Sequence, residues 1–459
     1  VTEDGHDSGA GRYDAAVEYI TGRPRFSPEP GLARMRSLLR ELGDPHKAGR
    51  CVHVAGTNGK GSTSAFLASI AGKAGLRTGL YTSPHLEHLE ERIAVDGEPV
   101  LPGRLVELVS LVAPAVRSVE ERTGEPVIEF ELLTALAFVH FRDEGCEVSV
   151  LEVGLGGKFD ATNVIDPPAA SLVTSIGRDH TEVLGDSPGA IASEKAGVIK
   201  TGSLVVTAVR DREPLSVLEQ ASRDRGAELW TVGPSDGVPE PAVRWTRTEF
   251  DVNGQTFDLF LPGGEVYRNL RIRMAGAHQV DNAACAVAAA EGMRRSGLVV
   301  PEEAVRSGLA GAFWPGRFEL VRRKPWIVVD GAHNPEGAAA LAGTYSELFG
   351  ERRATVVLGV LTDKEAGPVI SSLAGVAGHV IVTSPTHPTR ALPAEVLSGL
   401  VREAGLAVEV APAAREAIAL GARRLRAEDD VLLITGSLYL AGEARRELRR
   451  AGLLRPSAP

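Results

Sequence analysis

Along this chain, short β-branched apolar runs alternate with longer stretches in which apolar positions recur every three or four residues. The alternation predicts parallel strands joined by crossover helices, an α/β chain. In the first half, "CVHVA", "TGLYTS", "VSVLEVG", "ASLVTSI" and "SLVVTAV" predict strands of a mostly parallel sheet. Helices are predicted at "STSAFLASIAGKAG", "ELLTALAFVHFRDEG" and "PGAIASEKAG". Residues 234 to 275 are rich in Pro and Gly, with short alternating pieces such as "FDVNGQTFDLFLPGG", and predict a small antiparallel addition. The helix "HQVDNAACAVAAAEGMRRSG" closes this half. After "FWPGRFE" the pattern restarts with "WIVVDGAHN", "ATVVLGVLTDKE", "HVIVTSPTH", "AVEVAP" and "VLLITGS", each followed by a helix-like stretch. This second series predicts a separate five-stranded, Rossmann-like doubly wound domain. The boundary is placed near Gly316, giving domains of residues 1–315 and 316–459.

Length agrees with more than one domain, since 459 residues exceed a single compact core. No window offers the roughly 18–20 uninterrupted apolar residues of a membrane span. The leader "VTEDGHDSGAG" is acidic and polar, unlike a secretory signal, and is expected to be a disordered segment of a cytoplasmic protein. Cys51, Cys146 and Cys285 are far apart, so neither a disulfide framework nor a zinc site is expected, and all three read as buried apolar residues. The formal net charge of −10 disfavours nucleic acid as a partner. An anionic small molecule then needs a local site.

Ligands of doubly wound sheets bind beyond the carboxyl ends of the strands. His333 and Asn334, Asp363 and Lys364, His387 and Arg390, and Thr435 with Ser437 all follow apolar runs directly, as do Ser83, Glu152 and His180 in the first half. Two polar rims are therefore expected, able to face each other across a cleft. "HVAGTNGKGSTSAFLASIAGKAG" runs a strand through three glycines into a helix, the form of a phosphate loop. Gly59, Lys60, Gly61 and Ser62 fill its roles: backbone amides, a point charge and a hydroxyl at the helix start. The usual pattern puts the hydroxyl directly after the lysine, and this chain inserts Gly61. A plain glycine-rich turn is the alternative.

"GTNGKGST", "YTSPHL", "ERI", "EVGLGGKFDATNVI", "SIGRDHTEVLG" and "SEKAGVIK", followed in order by "HQVDNAACA", "PGRFE", "DGAHNPEG" and "TGSLYLAGEAR", resemble the folylpolyglutamate synthase and dihydrofolate synthase family of the Mur ligase superfamily. Each motif is weak alone, but the ordered set, from about residue 12 to about residue 447, is specific. The resemblance implies a P-loop-type Mur ligase ATPase domain followed by the Rossmann-like domain. It also implies a monomer that uses ATP and Mg²⁺ to join L-glutamate to a folate, or to dihydropteroate, by way of an acyl phosphate. Such a transfer depends mostly on positioning and electrostatics.

By motif match, the resemblance implies metal ligation by Ser83, Glu152 and His180. Asn282, Arg317 and Asp330 are implied on the nucleotide, with Arg317 at the hinge. His333 and Ser437 fall on the glutamate side, with Lys60, Lys195 and His333 catalytic. Lys195 matches a position that carries a carbamate formed from CO₂. Ile128, Glu129, Phe130 and Glu131, with Phe159, Asp160 and Ala161, match the pteroate loops, although "IEFE" replaces the tyrosine or threonine often found before the family's "FE". Taken singly, these residues keep plainer readings. Ser83 is then a turn hydroxyl, His180 a partner of Asp179, Lys195 a surface lysine, Asn282 a helix cap and Arg317 a surface ion pair. His333 orients Asp330 or caps a helix, and Phe159 is a core aromatic. Two other activities fit part of the pattern, a cell-wall peptide ligase of the Mur type and a nucleotide-hydrolysing switch.

Overall fold

The computed structural model describes residues 9–27, 31–165, 167–387 and 389–454. The expected polar leader lies outside the described residues up to position 8, and from Gly9 the chain is helical (Gly9–Thr21). Among the described residues the strands form two sheets, one of eleven strands and one of six.

All five strands expected in the first half are present, at Arg50–Ala55, Thr78–Tyr81, Val148–Glu152, Ala170–Val173 and Leu204–Thr207. They pair in parallel with Arg50–Ala55 in the middle, between Val148–Glu152 and Ala170–Val173. Their residues are wholly buried apart from Arg50, which is why they read as unbroken apolar runs. The expected antiparallel pieces are Val243–Asp251, Gly254–Phe260 and Val266–Ile272. They continue the same sheet at one edge, joined through a parallel strand, Glu228–Pro234, that begins before the segment expected to change character. At the other edge a short hairpin, Ile93–Val95 with Glu98–Pro99, pairs antiparallel to Thr78–Tyr81.

The second series carries six strands rather than five. Trp326–Val329, Ala354–Leu358, Ala377–Val382, Val408–Val410 and Val431–Thr435 are the expected parallel set, and Glu319–Arg322 adds an antiparallel edge strand beside Trp326–Val329. Only Glu319 of that strand is buried, so it lacks the apolar run that marks the others. Cys51, Cys146 and Cys285 are buried free thiols. Among the described residues no helix is long and apolar enough to cross a membrane.

Candidate active site

The phosphate loop leaves the central strand Arg50–Ala55, where the chain crosses to either side of the sheet, and feeds the helix Lys60–Lys73. The first amides of that helix have no intrahelical acceptor and open toward the cavity. Gly59 turns the chain at φ 89°, and a Cβ there would collide with Asn282 Oδ1. No other residue type combines that turn with that approach. The side chain of Lys60 folds over the loop and donates to the carbonyls of Gly56 and Thr57 at 3.0 and 3.2 Å.

Every residue that the family resemblance placed in the site lines one cavity of about 1030 Å³ between the two sheets, as do Lys364 and Arg390, whereas the rim residues Asn334, Asp363, His387 and Thr435 are not part of its wall. The volume stands at the upper end of small-molecule sites, roughly 300–1,000 Å³, so it has room for more than one substrate.

Glu152 is buried at the end of its strand, and the Ser83 amide donates to its Oε2 at a long 3.4 Å. Burial pushes its carboxyl up to about 7, against the pull of the nearby Lys60 charge. A buried carboxylate with so weak a partner is suited to a cation. His180, with φ 53°, lies next to Asp179 and its Nε2 is 3.8 Å from that carboxylate. Desolvation inside the cavity, with Lys364 and Lys60, holds its ring down to about 4 against the opposing pull of Asp179, so the imidazole is free to ligate. Among the described residues no three His, Cys, Asp or Glu side chains cluster as a metal cage. Ser83, Glu152 and His180 offer oxygen and nitrogen donors on one cavity wall, the ligand types a hard ion takes, without forming a closed cage by themselves.

Lys195 is not a surface lysine. It is 4% exposed, its Nζ donates to the Gly56 carbonyl at 2.9 Å, and burial together with the charge of Lys60 pushes it down to about 7. Asn282 is not a cap either: it lies within the helix Ala277–Arg295 and donates to Gln279. Arg317 makes no surface ion pair; its NH1 donates to the Gly316 carbonyl, and desolvation lowers its pKa against the carboxylates of Asp330 and Glu152. Asp330 accepts from the amides of Phe318 and Ala332 at 2.7 Å each, which pins the linker to the strand end.

On the facing rim, His333 Nδ1–H donates to the Gly331 carbonyl at 2.8 Å, leaving Nε2 3.6 Å from Asp179. The cap of the following helix is Asn334, not His333. Ser437 caps the helix Leu438–Arg450 by accepting from Leu440 N.

At the far end Phe159 is 45% exposed, so it is no core aromatic, and the ammonium of Lys158 lies 5.0 Å from its ring centre. Asp160 accepts from the amides of Gly154, Leu155 and Thr162 and from the Thr162 hydroxyl, and so shapes the loop that carries Phe159 and Ala161. Glu131 accepts from Ile128 N at 3.1 Å and from Arg34 Nε at 2.7 Å, and Phe130 packs 5.7 Å from Tyr81. Glu129 lies 3.8 Å from Arg92.

Sequence reasoning missed how the rims are fastened. Asn334 donates to Asn58 Oδ1 at 3.0 Å, and Lys364 pairs with Asp179 at 2.5 Å. Asn before Pro335 is a helix-cap signal, but nothing local says that it also reaches the phosphate loop. Trp314 was also missed; a Cβ on Gly61 would come within 2.7 Å of its Nε1.

A phosphate loop on a parallel sheet, facing a second doubly wound sheet across one cavity, defines a Mur-type ligase. Residues 54–290 match the Mur ligase middle domain, and residues 316–438 match the Mur ligase, glutamate ligase domain. A Bacillus subtilis dihydrofolate synthase/folylpolyglutamate synthase is 36% identical over 440 residues, covering 95% of this chain and 99% of the relative. A Mycobacterium tuberculosis folylpolyglutamate synthase complexed with ADP and AMPPCP superposes with a TM-score of 0.87 at 33% identity, covering 96% of this chain and 98% of that one. The Escherichia coli FolC protein in complex with DHPP and ADP gives a TM-score of 0.85 at 28% identity, over 97% of this chain and all 100% of that one. The chain belongs to the folylpolyglutamate synthase and dihydrofolate synthase family, and is an ATP-dependent ligase.

Proposed function

We propose that this chain uses ATP to join L-glutamate to the carboxylate of a folate, and of dihydropteroate, as a cytoplasmic monomer divided near Gly316. The observation that carries the proposal is the single cavity, whose wall runs from Lys60 past Glu152 and Lys195 to Phe159, with His333 and Ser437 opposite. The acceptor carboxylate attacks the γ-phosphorus, the bond to the β-phosphate oxygen breaks, and ADP leaves. The amine of glutamate then attacks the acyl carbon, phosphate leaves, and the amine gives up a proton.

Lys60 and the amides after Gly59 neutralise the phosphates, with Asn282 and Asp330 on the nucleotide side. Arg317 reaches them when the two units close. With Nδ1–H fixed on Gly331, His333 Nε2 is placed to take the amine proton, and Asp179 steadies the imidazolium so formed. Phe130 and Phe159 offer faces to a flat heterocycle, on a wall completed by Ile128, Glu129, Glu131, Asp160 and Ala161. Mg²⁺, held by Ser83, Glu152 and His180, would spread the charge of the transferring phosphate.

A lysine amine at about 7 is substantially unprotonated at neutral pH, the form that adds to CO₂ with release of one proton. That supports a carbamate on Lys195, which turns a cation beside the metal ligands into an anion.

The test is purified protein with ATP, Mg²⁺ and labelled glutamate, offered dihydropteroate and tetrahydrofolate separately. Label should enter product with each acceptor. Incorporation only with a nucleotide-linked muramyl peptide, or ATP consumption that ignores every acceptor, would contradict the proposal.

A further inference from the structure

An incoming glutamate brings two carboxylates, and neither His333 nor Ser437 offers them a fixed positive charge. Lys364 is already matched, since its buried ammonium sits 2.5 Å from Asp179. Arg390 is not. It lines the same cavity, and its NH1 is 3.0 Å from Asp363, but Nε and NH2 lie 3.2 and 3.1 Å from His387 Nε2. The other ring nitrogen of His387, Nδ1, faces the backbone amides of Thr389 and Arg390 at 3.2 and 3.0 Å. Both ring nitrogens thus face donors, whereas a neutral imidazole can accept at only one of them.

Protonating the ring makes the conflict worse. His387 is 8% exposed, and burial with the charges of Arg390 and Arg25 holds its pKa below the ordinary histidine value. The two backbone amides cannot move away from Nδ1, so the proton belongs on Nε2, directly against the guanidinium. An anionic oxygen set between them would accept from both. Tyr439 completes the corner, with its hydroxyl 3.4 Å from Arg390 NH2 and its ring edge-on to His387 at 4.8 Å. The reacting amine must stand near the phosphate loop, and the carboxylate on the same carbon stands there with it. The remote carboxylate, which extends away from that carbon, is the one assigned to this corner.

We propose that Arg390, His387 and Tyr439 form a carboxylate subsite for the side chain of the incoming dicarboxylic amino acid, and that this subsite selects glutamate over its amide. The inference rests on the ligase reading above.

The test is steady-state kinetics of the full chain with Arg390→Gln and Arg390→Lys, using L-glutamate and L-glutamine as alternative amine substrates. In Arg390→Gln the KM for glutamate should rise about ten- to hundredfold, as expected for a lost charge-assisted hydrogen bond, and the preference over glutamine should shrink by the same factor. The KM for ATP should stay within about twofold, and Arg390→Lys should recover part of the loss. An unchanged glutamate KM in Arg390→Gln, or equal losses for both amino acids, overturns the subsite while leaving the ligase reading intact. Failure of the unmodified protein to incorporate glutamate overturns both.

Discussion

Lys195 Nζ donates to the carbonyl of Gly56 across 2.9 Å, tying the end of the helix Pro188–Lys195 to the first residue of the phosphate loop. Burial, with the charge of Lys60 nearby, makes the amine a stability sensor. Between about 7 and the ordinary 10.5 the unfolded chain holds more protons at this site than the folded one, so its destabilising effect is full below about 7 and fades as pH rises through that window. In carbonate-free buffer, thermal stability should therefore climb more steeply with pH across the window in the unmodified protein than in Lys195→Met. Equal slopes would mean that the amine is not desolvated.

The carbamate proposed on Lys195 would be an anion, and its loss should be partly repaired from solution. Lys195→Ala should lose activity and regain a little with acetate. Lys60→Ala, which removes a positive charge and two hydrogen bonds to the carbonyls of Gly56 and Thr57, should lose ligation with its overall fold intact and regain nothing. Salt alone would act on both variants alike, so equal rescue would contradict the assignment.

If Glu152 holds Mg²⁺ as proposed, the ion competes with a proton for its carboxyl, which is pushed up to about 7. The Mg²⁺ concentration giving half-maximal rate should fall as pH rises through that value. Glu152→Gln should lose the pH dependence, and both it and His180→Ala should need about tenfold more metal or beyond. Wild-type Mg²⁺ curves in both variants would place the ion elsewhere.

A buried charge chain also joins the side of the eleven-stranded sheet to that of the six-stranded one. Glu87 accepts from Arg445 at 2.8 Å and from Arg449 at 2.6 and 2.9 Å; Arg445 also pairs with Glu319, which in turn accepts from Gly316 N at 2.9 Å. Arg445→Met leaves Glu87 with Arg449 alone and Glu319, a buried carboxylate, without a charged partner, and should cost about 3–5 kcal/mol in denaturant unfolding. A loss near that of an exposed pair, about 1 kcal/mol or less, would show that the clasp is not closed in solution.

The sequence carries what is local and little of what is long-range. Most of the ten parallel strands it marks carry buried apolar runs, Val408–Val410 being the exception with no buried residue, and the phosphate loop shows because its glycines break the apolar pattern between strand and helix. Glu319–Arg322 escaped because three of its four residues keep contact with solvent, and Ile93–Val95 because three residues cannot display a period. The site residues were legible as polar positions at strand ends. Their partners were not: Asn58 and Asn334 are 276 positions apart and Lys364 and Asp179 are 185 apart, and no periodicity records which polar side chains meet across a cleft. Ser437 shows a related limit, since one hydroxyl both caps a helix and faces the cavity, and the sequence marks only its place after a strand.

The central claim is that the phosphate loop holds ATP so that its γ-phosphate can be moved onto a carboxylate. Its most direct test is to supply dihydropteroate whose carboxylate carries heavy oxygen, run the reaction with ATP and glutamate, and weigh the released phosphate. An acyl phosphate requires one carboxylate oxygen to leave with phosphorus, so heavy oxygen should appear in inorganic phosphate in step with ligated product. Product formed with unlabelled phosphate would contradict the account.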